Sequence, residues 1–267
     1  MKKYIKKHPN IIIFSILCII SSIIYIRFIL GHYATDTYNI INVGYATYIK
    51  NWYLIDGRIF SAIFLFIAKI LNLSTQYVNA ISIILAIIIT NIAVIELLKW
   101  SKKYIVCEKT NSKIILILIC YIIIWNFMYI ENMYFLESCV MALSVLFYIL
   151  SSKELVEKQK NYLLKSTIYT ILGVISYQGT IGFIFLLTTL MTFIKNPKDY
   201  KSNICDIIKS GITAVIAVSI DMCIVKEFEK IMTEHNYNIY RSRWSLWNFL
   251  NFGYNDYVVV PRCNKHI

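Results

Sequence analysis

Residues Gly31–Ser61, GHYATDTYNIINVGYATYIKNWYLIDGRIFS, gather polar, aromatic and acidic side chains between two long apolar runs. Asp36 stands shortly after the first run, and Asp56-Gly57-Arg58 immediately precedes the next. Between them Ile41, Tyr45, Tyr48 and Trp52 recur at intervals of four, three and four, the spacing of one helix face. Asn42, Lys50 and Asn51 fall elsewhere around that helix. It is predicted to lie in the membrane interface, where Tyr and Trp are favoured, and to hold Asp36 at the membrane surface.

The surrounding runs decide the fold class. A 267-residue chain that is 58% hydrophobic, with mean hydropathy +0.60 and isoleucine-rich runs near membrane length, carries more apolar sequence than a soluble core needs. The prediction is an all-α polytopic transmembrane helix bundle of about seven to nine membrane segments. The formal charge of +12 sits mainly on lysines in short loops, where it sets membrane orientation, and no basic fold motif accompanies it, so nucleic acid is not expected as a partner. Seven cysteines without CxxC spacing argue against a disulfide framework or zinc site. His8, His32, His235 and His266 show no ligand spacing. The isoleucine, lysine and asparagine bias suggests an AT-rich bacterial genome.

In chain order, Lys2, Lys3, Lys6 and Lys7 are expected to keep the N-terminus cytoplasmic, ahead of a first span over Ile11–Leu30. Apolar runs follow at 58–72, 78–98, 114–130, 134–150, 163–177, 179–194 and 207–225. The linkers 99–113, 151–165 and 195–206 are lysine-rich, whereas the turns at Glu131-Asn132-Met133 and Tyr177-Gln178-Gly179 carry no basic residue. The positive-inside rule places the three linkers in the cytoplasm and both turns outside. That grouping requires an odd number of crossings between Asp56 and Lys99, with 58–72 interfacial or re-entrant. Asp36, Glu131, Glu137 and Tyr177-Gln178 then share the outer face of a bacterial cytoplasmic membrane. Residues 1–225 form the expected membrane domain, and 226–267 read as the start of an extramembrane segment.

With those features in order, the chain resembles the Gtr-type (glucosyltransferase II-like) bacterial membrane glucosyltransferases, of the C-type glycosyltransferase class. The resemblance covers about residues 10–225. It lies in the acid after the first span in YATDTYN, the aromatic stretch after it, GRIFSAIF, MYFLESCVMALSVLFYIL and VISYQGTIGFIFLL. It implies transfer of a hexose, with glucose the expected sugar, from a polyprenyl-phosphate-sugar donor to an extracytoplasmic glycan such as O-antigen. It also implies Asp36 as the general base that accepts the proton of an attacking sugar hydroxyl. Arg58 matches the family's Gly-Arg position and is assigned to the donor phosphate, with Arg241 and Arg243 as further candidates. Tyr38, Tyr45, Glu137, Tyr177 and Gln178 are the substrate-binding candidates. Many relatives carry a second acid beside the first, whereas Thr35 and Thr37 flank Asp36, so the metal is unknown, with a divalent cation compatible. The chain is also shorter than typical relatives, which raises a truncated or split copy.

Plainer roles stand beside these. Asp36 would serve as a helix cap, Arg58 as a headgroup anchor and Asp56 as its ion-pair partner. Glu131 and Glu137 would be solvated at a helix end, Tyr177 and Gln178 would join helices by hydrogen bonds, and Asp221 would pair locally. The rival functions are a non-catalytic polyprenyl-linked-sugar translocase or assembly subunit, and an inactive fragment.

Overall fold

The computed structural model describes residues 9–31, 33–106, 108–126 and 130–234. Lys2, Lys3, Lys6 and Lys7, His32, and residues 235–267 with Arg241 and Arg243 lie outside the described residues. Among the described residues the fold is helical throughout. In order come α1 (Pro9–Ile24), α2 (Ile26–Ile29), α3 (Thr35–Val43), α4 (Tyr45–Tyr48), a π-turn at Ile49–Tyr53, α5 (Ile59–Ile70), α6 (Thr75–Ser101) and α7 (Thr110–Ile124). A 3-10 turn at Glu131–Tyr134, α8 (Ser138–Glu157), α9 (Tyr162–Ser176), a 3-10 turn at Gln178–Thr180, α10 (Gly182–Lys195) and α11 (Tyr200–Glu234) complete it.

Among the described residues four segments are long and apolar enough to cross a membrane: Thr75–Ser101, Ser138–Glu157, Gln178–Lys195 and Tyr200–Ile231. Pro9–Ile24, Ile59–Ile70, Thr110–Ile124 and Tyr162–Ser176 are apolar but shorter. The helices overrun the apolar runs where polar ends stay helical, most of all in α11, which extends beyond 207–225 in both directions. Hydropathy marks the middle of a helix and passes over its polar ends.

The core lies along α6 and α8, where Ile83, Ile87, Val94, Leu97 and Trp100 meet Val140, Val145 and Ile149. Lipid gives helices no hydrophobic reason to leave it, so close packing and interhelical hydrogen bonds must hold them together. Small and hydroxylated residues supply both. Ser151 Oγ shares hydrogen bonds with Ser166 Oγ at 2.7 Å and Thr170 Oγ1 at 2.8 Å, joining α8 to α9. Asn91 of α6 donates to Ser21 Oγ of α1 at 3.2 Å, and that hydroxyl pairs with Tyr121 of α7 at 3.0 Å. Gly173 completes the α8–α9 contact, for a Cβ there would stand 2.6 Å from the Tyr148 ring.

The bundle has two chemically different ends. At one, Lys103 pairs with Glu157 at 2.6 Å, Lys158 with Asp206 at 3.0 Å, and Lys153 with Glu96 at 3.7 Å, so the three lysine-rich linkers meet there. α8 runs about 30 Å from that end to Ser138, and at this second end lie the two 3-10 turns, Arg58 and Glu137. α5 stays near the second end. Its 12 residues extend about 18 Å, from Arg58 beside Glu137 to the loop that opens α6.

The aromatic stretch is not one helix. Gly44 adopts φ +79° and ψ 159°, a backbone that a residue without Cβ accepts readily, and it separates α3 from α4. Ile41 is left 48% exposed on α3, while Tyr45, Tyr48 and Trp52 turn onto the bundle against Leu65, Val78 and Leu136. Regular spacing carried across the glycine because periodicity does not register a break that preserves the count.

Gly173→Ala is expected to cost about 1–3 kcal/mol through overpacking, read as a lower thermal midpoint of the detergent-solubilised protein. The loss should shrink in a Tyr148→Leu background, and equal losses in both backgrounds would remove the assigned contact.

Candidate functional site

Arg58 occupies the N-cap position of α5. Its Nη1 donates to Glu137 Oε1 at 3.3 Å, and the guanidinium lies over the Tyr177 ring, 5.2 Å from its centroid. The Glu137 side chain is 2% exposed and that of Arg58 is 22% exposed, so one partner is sealed and the other reaches outward. The guanidinium is thus held by protein on two sides, with its remaining edge partly exposed.

Local structure explains the placement. Gly57 has φ +73°, and a Cβ on it would stand 2.6 Å from Asp221 Oδ1 and 2.9 Å from Gln178 Nε2. Only glycine permits both the backbone and this approach. Gln178 Nε2 donates to the Asp56 carbonyl at 2.6 Å and to Asp221 Oδ2 at 2.9 Å, which ties the Asp56-Gly57-Arg58 loop to α11. Glu137 is set by α6: Ser82 Oγ accepts from the Cys139 N–H at 3.1 Å and pairs with Ser138 Oγ at 3.1 Å, satisfying the first turn of α8.

Asp36 lies in the first turn of α3, where the N-cap position is held by Ala34 and not by the acid. The Ala34 N–H donates to the Tyr134 carbonyl at 3.1 Å, which fastens α3 to the turn preceding Glu137. Asp36 is partly buried and within electrostatic reach of both Glu137 and Tyr48. Two carboxylates and one arginine, distant in sequence, thus share one end of the bundle.

Burial raises the Glu137 pKa from its ordinary 4.5, against the lowering effect of Arg58. Burial, then the Glu137 charge, keeps the Tyr53 phenol well above its usual range, so its O–H stays on. Tyr53 Oη, Arg58 Nε and Glu137 Oε2 are all buried without a hydrogen-bond partner. Tyr53 faces Glu137 closely enough to act on its charge, yet no bond of standard geometry closes between them. Leaving such groups unpaired costs about 1–3 kcal/mol each.

The structure therefore gathers Asp36, Arg58, Glu137, Tyr177 and Gln178 at one end, with Asp56 acting electrostatically on Arg58. Glu137 is not solvated at a helix end but sealed beneath Arg58, because α8 begins below the 3-10 turn that covers it. Gln178 gives both amide hydrogens to protein oxygens and so positions the Arg58 loop. The Tyr45 hydroxyl donates to the Leu73 carbonyl at 3.1 Å, fixing the α5–α6 loop. Tyr38 is 54% exposed, its ring set edge-on to Tyr33 at 5.7 Å. Arg241 and Arg243 lie outside the described residues.

Tyr53 carries no sequence signal of its own, and Gly57 stood out only as the neighbour of Arg58. Asp221 stood out as an acid in an apolar run, but its partner is Gln178, forty-three residues away, and not a local one. Among the described residues no three His, Cys, Asp or Glu side chains converge as a metal site. Compared with models of protein families, with curated proteins and with solved structures, the chain matches none.

A raised carboxylate pKa means the folded state holds the Glu137 proton more tightly than the unfolded one. Its contribution to stability is therefore fully present below pH 4.5 and is lost as pH rises through the folded value. Glu137→Gln should flatten the fall in thermal midpoint from pH 4.5 upward. An unchanged slope would contradict the assignment.

Proposed function

We propose that the protein is a polytopic membrane glycosyltransferase of the C-type class, with about seven to nine membrane segments. In this reading it moves a hexose, such as glucose, from a polyprenyl-phosphate donor to an extracytoplasmic glycan. The lysine-bearing end faces the cytoplasm and the Arg58 end faces outward, in a bacterial cytoplasmic membrane. The observation that carries the reading is the partly exposed Arg58 guanidinium, held between a sealed carboxylate and an aromatic ring, with a second carboxylate, Asp36, in the same electrostatic neighbourhood.

A phosphate leaving group and a hydroxyl nucleophile need opposite help, and these residues supply both. Asp36 accepts the acceptor hydroxyl's proton as its oxygen attacks the anomeric carbon. The bond from that carbon to the phosphate oxygen breaks, and polyprenyl phosphate departs as an anion. Arg58 offers its donors to the departing phosphate, where a guanidinium matches the oxygen geometry. Glu137 fixes the arginine's direction. Tyr177 supports its other flank and offers a ring on which a sugar can stack.

Membranes containing the protein should transfer radiolabelled glucose from polyprenyl-phosphate-glucose to surface glycan. Asp36→Asn should lower the rate about 10²–10⁴-fold, the usual contribution of a positioned base. Undiminished transfer by a well-inserted Asp36→Asn protein would remove the base, and no transfer by the wild type with several sugar donors would remove the transferase reading in favour of a translocase.

A further inference from the structure

Tyr177 also lines a cleft of about 360 Å³ bounded by the 131–134 turn, the 177–180 turn and the start of α10. Its size falls within the roughly 300–1,000 Å³ of small-ligand sites. Asn126, Glu131 and Asn132 supply polar groups to the walls, Tyr177 and Phe183 supply rings, and no lysine or arginine appears among the described lining residues. Open space lies beside Gly182, where a Cβ would meet nothing within 4 Å.

These groups sort ligands by charge. A phosphate or uronate would face the Glu131 carboxylate with no cation among the described lining residues to offset it, since Arg58 lies over the Tyr177 ring and is held by Glu137, whereas hydroxyls can donate to that carboxylate and exchange hydrogen bonds with the two amides. The C–H faces of a pyranose suit the aromatic walls. The same turn that contributes Glu131 and Asn132 accepts the Ala34 N–H through the Tyr134 carbonyl, two residues before Asp36. The cleft and the base thus share one end of the bundle, and Arg58, which lies over the shared Tyr177 ring, remains for the anion.

We infer that the cleft is the subsite of a neutral saccharide, the ring bearing the acceptor hydroxyl; this rests on the transferase reading and adds the acceptor's chemical class and location. Donor and acceptor are then separated by charge, phosphate to Arg58 and uncharged sugar to the Glu131–Tyr177 cleft. Glu131 acts as a specificity residue, rejecting acidic sugars by repulsion.

The test is saturation-transfer NMR on the full chain in lipid nanodiscs, with the methyl glycosides of glucose, galactose, mannose and glucuronic acid as probes. At least one neutral glycoside should receive saturation on its ring protons, and the glucuronide should not. Glu131→Ala, at an exposed position where packing is undisturbed, and Phe183→Ala should each weaken neutral binding about five- to tenfold, the loss of roughly one hydrogen bond or ring contact. No saturation of any neutral glycoside by the wild type, or binding unchanged in both variants, would overturn the assignment. Binding needs no turnover, so saturation lost in the variants of a protein that transfers no sugar would uphold the cleft while the transferase reading fell. Transfer by the wild type with acceptor KM unchanged in both variants would do the reverse.

Discussion

The ion pair between Arg58 and Glu137 joins two parts of the chain 79 residues apart, and the geometry of the second bundle end follows from it. Removing charge from water is expensive, and a pair repays that cost only where further hydrogen bonds complete it. This pair closes through one hydrogen bond at 3.3 Å and leaves Arg58 Nε and Glu137 Oε2 buried and unpaired. A fastener built for stability alone would close in the bidentate form that arginine and carboxylate readily adopt. The surrounding scaffold holds the open arrangement in place: Gly57 brings Arg58 in close, Gln178 ties its loop to α11, and Ser82 anchors the first turn of α8.

The opposite end works on different terms. Its acids and lysines form pairs from 2.6 to 3.7 Å whose lysine partners are 26–50% exposed in Lys103, Lys153, Lys158 and Lys165. Their acids are 5–23% exposed, so each pair joins a solvated lysine to a largely buried carboxylate and ties neighbouring linkers together. Between the ends, hydroxyls and amides join helices where lipid-facing isoleucines cannot. The bundle is thus basic at one end, hydrogen-bonded through its middle, and acid–arginine paired at the other.

Much of this was legible in the sequence because membrane physics writes in long runs. Twenty apolar residues in a row have few alternatives to a helix, and the alternation of lysine-bearing linkers with lysine-free turns foretells which loops gather together. Tyr177 and Gln178 stood out as polar residues in an apolar hairpin. What stayed illegible depended on backbone direction and long-range contact. Gly44 breaks the aromatic stretch without disturbing its period, so Ile41 and Tyr45 looked like neighbours on a face that does not exist. Glu137 looked solvated because nothing local says that Arg58 and Tyr53 arrive from seventy-nine and more residues upstream. Asp221 announced itself by its cost in an apolar run, but not its partner.

Exchanging the two charges separates a fastening role for Arg58 from a chemical one. The measurement is thermal midpoint and sugar transfer together for Arg58→Glu, Glu137→Arg and the double exchange. The pair's geometry predicts that the exchange restores much of the midpoint lost in either single variant, while transfer stays abolished because the cation no longer reaches the donor phosphate. Transfer that returned with the midpoint would contradict the assignment of Arg58 to the phosphate, and a midpoint no better than the single variants would contradict the pair as the anchor of this end of the bundle.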